Sequence, residues 1–333
     1  MDHSRNPGIT VVIPTKNGAA TLRECLSGWC SQTMAVHRII VIDSGSTDQT
    51  PDIAAGCENV EVQGIAPEDF NHGATRNFGI SLSETEITVL TVQDAIPTDA
   101  NTLRRLSDCM KSARVAGVCG SQIVEARPEC NPVDWFSPVS KPENRHYHFP
   151  SKDQFQQLPD TEKLAACSWD NVLAMYRTEV VADAVPFRRT SFGEDAFWAI
   201  DALSAGFELA YCPLARVHHY HHETADYAER RLLEELYLRY IAFEQDPRSV
   251  GFVRTNLTAI NVLRKRRLGW KKSLFWARYN LVRNISYQRA TRLFYEAIQQ
   301  GRDAVDELVH SKCGLPSLGR ASGVTVTASR AKA

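Results

Sequence analysis

The amino-acid sequence predicts an α/β protein with a mainly parallel sheet flanked by helices, followed by a C-terminal helical extension. In roughly the first hundred residues, short apolar runs alternate with segments of helical periodicity, the pattern of strand and helix repeats. Polar and turn-forming residues follow the apolar runs, as expected at the carboxyl edge of a parallel sheet. From Asp226 to about His310 the periodicity is helical throughout.

Each predicted element has its own local signal. The apolar run Ile9–Ile13 ends at Pro14, which indicates a buried strand, and Thr50 before Pro51 indicates a helix start. A first helix is indicated by apolar residues that share one face, namely Leu22, Cys25, Leu26 and Trp29. Further strands are predicted over 36–42, 59–62, 87–92, 115–119, 208–211 and 216–220, and a further helix over 73–82.

The chain divides into three predicted regions. Residues 1–225 form the α/β domain, 226–310 a basic helical extension and 311–333 a disordered tail. Within the first region, residues 126–159 are rich in proline and polar residues with interspersed aromatics. We expect that stretch to be an irregular insertion that lines a cleft.

Composition excludes several classes of protein. Of 333 residues, 43% are apolar and 23% charged, which fits a soluble globular chain and not a collagen-like, disordered or disulfide-scaffold one. No apolar stretch approaches the ~18 residues of a membrane span, and the N-terminus lacks the apolar core of a signal peptide. The nine cysteines are scattered without a Cys-x-x-Cys pair, so we expect reduced thiols in a cytoplasmic protein.

Polar residues cluster where the predicted strands end and the third helix begins. A carboxylate there is a ligand for a hard cation such as Mg²⁺ or Mn²⁺, and Arg76 at a helix start could bind phosphate. Any one of these clusters could be turn chemistry alone, but four in succession favour a site. The candidate residues are Pro14, Thr15 and Asn17, then Asp43 and Ser44, then His72, Arg76 and Asn77, and finally Gln93 and Asp94.

Several common motifs are absent. The sequence has no Gly-x-Gly-x-x-Gly after its first strand, no phosphate loop of the form Gly-x4-Gly-Lys-Ser/Thr, no His-Glu-x-x-His and no Gly-x-Ser-x-Gly. Dinucleotide-binding, phosphate-loop, zinc-protease and serine-hydrolase functions are therefore disfavoured.

The motifs that are present resemble those of a known family. Val-Ile-Pro-Thr-Lys-Asn, Val-Ile-Asp-Ser-Gly-Ser-Thr-Asp and the Gln93-Asp94 strand end resemble a family 2 glycosyltransferase of the GT-A fold. Phe-Asn-His-Gly-Ala-Thr-Arg-Asn and Thr-Val-Gln-Asp-Ala-Ile-Pro resemble, more narrowly, its bacterial rhamnosyltransferase branch. The likeness extends from about residue 9 to residue 222.

The resemblance assigns roles to residues of the second half. Glu194-Asp195 resembles the family's Glu-Asp motif, in which the Asp is the catalytic base; on chemistry alone these carboxylates could simply favour a helix N-terminus. His219 and His221 fall on the family's His-x-His positions and would join Asp94 on a divalent metal, although a solvated histidine loop is the alternative.

Two departures from the family pattern bear on specificity. Asp170-Asn171 stands where the family often has Ser-Asn, in a segment expected, with Glu194, to face the donor sugar or the acceptor. Val92 stands where many members carry the first Asp of Asp-x-Asp. The transferred sugar and the choice between Mg²⁺ and Mn²⁺ therefore stay open.

The resemblance implies an inverting transfer of a sugar from a nucleotide-diphosphate donor, with dTDP-rhamnose the first candidate. The base would lie near Thr15, Asp43 and Ser44, and the diphosphate near Arg76, Asp94 and the metal. Asp195 would deprotonate a hydroxyl of a glycan or lipid-linked acceptor. The absence of membrane spans and of Gln-x-x-Arg-Trp favours a single transfer in polysaccharide biosynthesis.

The extension carries an uneven share of the charge. Residues 247–295 contain 12 Lys and Arg and no Asp or Glu, which leaves 26 basic and 39 acidic residues elsewhere. Aromatic residues are interleaved with the basic ones, which fits peripheral contact with an anionic membrane, on the inner face of which a lipid-linked acceptor would lie. A solvated basic helix is the alternative, and nucleic-acid binding is disfavoured.

Two other functions compete with this interpretation. A sugar nucleotidyltransferase should carry a Gly-rich loop with Arg and Lys after the first strand, which Pro14-Thr-Lys-Asn-Gly18 is not. A non-catalytic nucleotide-sugar-binding module could keep the fold, but it would not need Asp94, Asp195 and His219 together.

Overall fold

A nine-stranded mixed sheet forms the centre of the protein in this computed structural model, which describes residues 5–137, 142–245, 251–266 and 268–315. The strand order is β3-β2-β1-β4-β8-β6-β9-β5, with β7 paired to β9 outside that path. The strands are β1 (Asn6–Thr15), β2 (Arg38–Asp43), β3 (Val60–Gly64), β4 (Thr85–Thr91), β5 (Ile96–Pro97), β6 (Val115–Ile123), β7 (Arg145–Tyr147), β8 (Leu173–Arg177) and β9 (Glu208–His218).

Helices cover both faces of the sheet and then form a C-terminal layer. They are α1 (Leu22–Cys30), α2 (Thr50–Ala55), α3 (His72–Ser81), α4 (Thr102–Cys109), α5 (Lys152–Gln156), α6 (Asp160–Ala166), α7 (Glu194–Ser204), α8 (Ala225–Phe243), α9 (Phe252–Lys265), α10 (Trp270–Gln300) and α11 (Arg302–Cys313).

Parallel pairing brings the predicted polar strand ends together. The first four strands are parallel, and the register of β1 with β2 sets Thr15 opposite Asp43. Strand β8 runs antiparallel between β4 and β6, at a place where the sequence had not indicated a strand. Its position in the sheet is explained by a continuous apolar stretch that is buried almost throughout, as an interior strand requires.

Alternation along each strand divides the core into two faces. Val11 and Val89 point to one side, where they pack with Trp29 of α1. Val12 and Leu90 point to the other side, into a cluster that contains Trp198 of α7. A third apolar cluster joins Phe197 of α7 to side chains of α8, α10 and α11, namely Leu233, Tyr237, Phe294 and Val305. The C-terminal helices therefore share a core with a helix of the α/β region.

The insertion at 126–159 is more ordered than predicted, in the part that is described. It contains strand β7 and helix α5, and it is tied to α10 by a buried amide pair. Asn131 and Asn280 each donate from Nδ2 to the other's Oδ1 at 3.0 Å, and Arg283 bonds Asp134 at 2.7 Å. Because both asparagines are almost wholly buried, neither could lose its partner without leaving unsatisfied polar atoms.

The C-terminal end is only partly described. Helix α11 continues to Cys313 and Leu315 is buried, so the helical layer extends slightly past the predicted limit. The rest of the predicted tail, 316–333, lies outside the described residues. All nine cysteines are free thiols. Among the described helices, none combines the length and the apolar character that a membrane crossing requires.

Candidate active site at the strand ends

The ends of β1 and β2 form a hydrogen-bonded unit. The carboxylate of Asp43 accepts from the amides of Gly45 and Ser46 at 3.1 and 3.0 Å, and from the Ser46 hydroxyl at 2.5 Å. The hydroxyl of Thr15 donates to Asp43 at 3.4 Å, and Ser44 donates its amide and hydroxyl to the Thr15 carbonyl, both at 3.0 Å. The predicted residues Thr15, Asp43 and Ser44 therefore lie together, with their polar groups engaged in shaping the loop.

The loop after β1 is held by its neighbours. Gln93 accepts from the Lys16 amide at 2.9 Å and donates to the Lys16 carbonyl at 3.2 Å, and a Cβ on Gly18 would lie 2.5 Å from the Gln93 oxygen. Asn17 accepts from the Thr47 amide at 2.8 Å. The side chains of Gln93 and Asn17 thus hold this loop, which follows the half-buried Pro14 and the buried Thr15 at the end of β1.

Asp94 meets two histidines from the end of β9. The Nε2 atoms of His219 and His221 lie 3.6 and 3.3 Å from the carboxylate oxygens of Asp94. One ligand atom from each of the three residues falls within a group no wider than 4.8 Å. Burial lowers the pKa of His219, which keeps its ring neutral and able to bind a cation through nitrogen. The structure therefore brings the three predicted metal ligands together.

Asp170 is linked to this histidine pair through Gln122 at the end of β6. Gln122 donates from Nε2 to Asp170 at 2.5 Å, and its Oε1 lies 2.6 Å from Nδ1 of His219. Asp170 also accepts from the Val172 amide at 2.8 Å. Gln122 was missed from the sequence, because it follows Ser121 beyond the predicted strand 115–119 and belongs to no motif.

Asp195 lies half-buried in the first turn of α7, directly after the buried Glu194. Gly193, the residue before the helix, has a φ of 72°, and a Cβ there would lie 2.8 Å from Leu238 of α8. Burial, followed by the charges of Glu194 and Asp170, raises the pKa of Asp195 to about 8, against a smaller opposing effect of Arg76. A carboxyl with such a pKa can accept a proton near neutral pH.

Arg76 points into the protein. Its Nη1 lies 2.8 Å from Oε1 of Glu194, and the two side chains are only 8% and 6% exposed. Asn171 donates to the same Glu194 oxygen at 3.2 Å and accepts from the Tyr176 hydroxyl at 2.5 Å. Although burial alone would raise it, Arg76 and then His72 hold the pKa of Glu194 below its usual value. Arg76, Glu194 and Asn171 thus make internal contacts beside Asp195.

His72 and Asn77 lie on the helix that carries Arg76. Nδ1 of His72 is 3.4 Å from Arg76 Nη1, and burial lowers its pKa. Asn77 donates to the Phe187 carbonyl at 2.8 Å and accepts from the Phe187 amide at 3.0 Å. Its side chain is therefore committed to fastening α3 against the segment that precedes α7.

The comparisons with known proteins agree with this geometry. Residues 10–169 match the family model described as Glycosyl transferase family 2. The O-antigen chain rhamnosyltransferase RfbN of Salmonella typhimurium is 32% identical over 220 residues, which cover 65% of this chain and 67% of RfbN. The chain belongs to glycosyltransferase family 2. The O-antigen chain rhamnosyltransferase WbaN of Salmonella anatum is also 32% identical, over 66% of this chain and 68% of WbaN.

Solved structures support the fold of this family 2 glycosyltransferase. The mannosyltransferase PcManGT from Pyrobaculum calidifontis, in complex with GDP-Man and Mn²⁺, aligns with a TM-score of 0.54 and 16% identity over 89% of this chain and 88% of PcManGT. S. aureus TarS in complex with UDP-GlcNAc aligns with a TM-score of 0.51 and 16% identity over 89% and 92%. The predicted α/β class of GT-A type with C-terminal helices and the predicted family resemblance are confirmed.

We predict that Asp195→Asn raises the thermal stability of this glycosyltransferase. A carboxyl whose pKa is raised on folding binds more protons in the folded state than in the unfolded state, so its contribution to stability falls as pH rises toward about 8. The neutral amide removes that effect. Differential scanning fluorimetry should show a gain in Tm on the order of 2–5 °C above neutral pH and little gain at acidic pH.

Asp48→Asn serves as a control of opposite sign. A hydrogen bond from Thr50 lowers the pKa of Asp48, so its charged form contributes stability at neutral pH that is lost as pH falls. That variant should lose Tm at neutral pH. An Asp195→Asn protein with an unchanged or lower Tm across the whole range would contradict the raised pKa.

Proposed function

We propose that this glycosyltransferase moves a sugar from a nucleotide-diphosphate donor to a hydroxyl of a glycan or lipid-linked acceptor, with inversion at the anomeric carbon. Rhamnose is the first candidate for that sugar. One observation carries the proposal: Asp170 connects the candidate metal ligands with the candidate base. It bonds Gln122, which bonds the ligand candidate His219, and its charge contributes to the raised pKa of the half-buried Asp195. We therefore assign the candidate cation ligands and the candidate proton acceptor to one site.

The set of candidate metal ligands, Asp94, His219 and His221, fits a divalent cation. One carboxylate and two imidazoles leave coordination positions open, and a second carboxylate, Asp170, is linked to His219 through Gln122. Imidazole nitrogen is a poor ligand for Mg²⁺, so this set favours Mn²⁺ of the two expected ions. When bound, the ion would offset the charge that develops on the leaving diphosphate.

The donor is assigned to the strand ends. We assign the nucleotide to the unit of Thr15, Asp43 and Ser44; the loop after Thr15 contacts Gln93, the residue before Asp94. Rhamnose and its dTDP carrier are the first choice because the relatives RfbN and WbaN are rhamnosyltransferases. Arg76 is paired with Glu194, so we assign it to holding that carboxylate and not to the diphosphate.

Asp195 is assigned as the base. Its carboxylate would take the proton of the acceptor hydroxyl as that oxygen attacks the anomeric carbon, while the bond to the diphosphate oxygen breaks on the opposite face. The raised pKa makes the carboxylate a stronger proton acceptor than an ordinary aspartate. Asn171 and Arg76 keep the neighbouring Glu194 in place and thereby keep the start of α7 in register.

We predict that Asp195→Asn reduces transfer by about 10²–10⁴-fold while donor affinity changes little, because the lost group acts on the acceptor. For the unaltered enzyme, kcat/KM should rise with pH toward the raised pKa of about 8, since only the ionised carboxylate accepts a proton. Release of the nucleotide diphosphate in the presence of acceptor, with donor affinity by calorimetry, measures both effects.

Asp201→Asn provides the matched control on the same helix. Asp201 bonds Arg188 at 2.6 Å and has no role in the proposed reaction, so its variant should keep near-normal turnover. Near-normal turnover in the Asp195 variant would remove Asp195 as the base.

A panel of nucleotide-diphosphate sugars tests the donor and the metal together. We expect Mn²⁺-dependent stabilisation by dTDP-rhamnose, because a ligand that binds the folded state raises Tm by mass action. His221→Ala should lose that dependence, whereas His37→Ala, an exposed histidine ahead of β2, should keep it. Stabilisation by a UDP- or GDP-sugar would change the donor, and no response from folded protein would favour a non-catalytic module.

The basic helices are proposed to contact an anionic membrane. Helix α9 exposes Val253, Leu257 and Ile260 at helical spacing, with exposed fractions of 70%, 56% and 47%. Helix α10 exposes Trp270, Leu274, Phe275, Leu281 and Ile285. Cations lie among these apolar residues and have no carboxylate partner in the part of the chain that is described; they are Arg254, Arg264, Lys265, Arg266, Lys271, Lys272 and Arg278.

We predict that Lys271→Gln with Lys272→Gln weakens binding to anionic vesicles by about 30-fold, at ~1 kcal/mol for each lysine near the surface. Co-sedimentation with phosphatidylserine-containing and purely zwitterionic vesicles measures the effect. The control replaces two exposed cations in and just after α4, Arg104→Gln with Lys111→Gln, and this variant should bind like the unaltered protein. Failure of the unaltered protein to bind anionic vesicles would leave only a solvated basic face.

A further inference from the structure

We infer that Asp170 and Gln122 are positioning residues that fix His219 in the tautomer able to bind a divalent cation. The inference deepens the proposed function and rests on the metal site proposed there. Neither residue touches the carboxylate of Asp94 in the described contacts; both would act through the His219 ring.

The direction of the hydrogen bonds determines the tautomer. A carboxylate only accepts hydrogen bonds, so the group of Gln122 that lies 2.5 Å from Asp170 is its NH₂. The carbonyl oxygen of Gln122 must then face Nδ1 of His219, 2.6 Å away. Because that oxygen cannot donate, the proton lies on Nδ1 of His219. The Nε2 atom keeps its lone pair on the side where Asp94 lies, 3.6 Å away.

Rigid backbone supports the chain at each step. Gln122 lies in β6 opposite Val217 of β9, and the His219 amide donates to the Ile123 carbonyl at 3.1 Å. The second oxygen of Asp170 accepts from the Val172 amide at 2.8 Å, just before β8. Three strands therefore hold the carboxylate, the amide and the imidazole in fixed order.

His221 has no comparable support among the described residues. Its side chain is 53% exposed, whereas that of His219 is 12% exposed. Its ring contacts the Asp94 carboxylate and the His219 ring, and the centroids of the two rings lie 4.5 Å apart. His219 is therefore the preorganised nitrogen ligand, and Asp170 is the residue that decides its protonation pattern.

Asp170→Asn is the decisive variant. An asparagine can face Gln122 with either its oxygen or its NH₂, so the Gln122 amide becomes free to turn and Nδ1 of His219 becomes free to accept. ¹⁵N spectra of histidine-labelled, metal-free protein should show the Nδ1–H tautomer of His219 in the unaltered enzyme and a shift toward Nε2–H in the variant. Loss of the signal in His219→Gln assigns it.

Metal binding gives the second readout. Electron paramagnetic resonance titration with Mn²⁺ should show an affinity about 10- to 100-fold weaker for Asp170→Asn, the usual cost of losing such a partner. Asp99→Asn is the matched control. Asp99 accepts hydrogen bonds from the Asn101 amide and from Arg105 of α4, so its replacement should alter neither readout. Gln122→Leu removes the acceptor directly and gives the same prediction if the Asp170 variant does not fold.

The outcomes separate this inference from the proposed function. An unchanged tautomer and Mn²⁺ affinity in both variants would overturn the positioning role. A tautomer shift in an enzyme that binds no Mn²⁺ even when unaltered would overturn the metal site of the proposed function, while it would support control of the His219 ring by Asp170. A tautomer shift together with weakened Mn²⁺ binding supports both.

Discussion

The buried ion pair between Arg76 and Glu194 fixes the arrangement of the site. Removing one partner of such a pair leaves an uncompensated charge in the interior, which costs several kcal/mol, so α3 and α7 must meet where these side chains do. Asn171 extends the contact to β8 through Tyr176, which Trp169 also bonds. Asp195 is the next residue after Glu194, and its position is therefore set by contacts that form before any substrate binds.

The same arrangement concentrates negative charge. Asp94, Asp170, Glu194 and Asp195 all belong to the candidate site, and Arg76 is already paired with one of them. Desolvation first, and then the charges of Glu194 and Asp170, raise the pKa of Asp195; a bound cation would reduce the part due to charge. A site that is least stable when empty gains the most from its ligands, which is a common relation between stability and activity in enzymes.

The location of residues at the site could be predicted from the sequence, whereas the contacts of several of their side chains could not. Parallel strands must end at one edge, so Thr15, Asp43 and Asp94 were foreseeable as neighbours. The inward orientation of Arg76 was not foreseeable, because it depends on an ion pair with Glu194, more than a hundred residues away. The periodicity of the sequence gives no information about so distant a pair. Gln122 was invisible for the same reason: its role exists only through contacts with Asp170 and His219, on two other segments. Local patterns therefore located the site, whereas its long-range pairings required the structure.

The packing of the C-terminal helices links the exposed basic residues of α9 and α10 to the candidate site. The predicted division at residue 225 marks a change in charge and periodicity, yet the apolar core continues across it through Phe197 of α7 and Leu233 of α8. Gly193 also packs against Leu238, so the start of α7 rests on α8. Helix α10 packs along α8 and carries the exposed basic and apolar residues. If those residues lie on a membrane as proposed, a lipid-linked acceptor would be presented at that surface. The distance of Asp195 from the surface would then be set by this helix packing and not by a flexible linker.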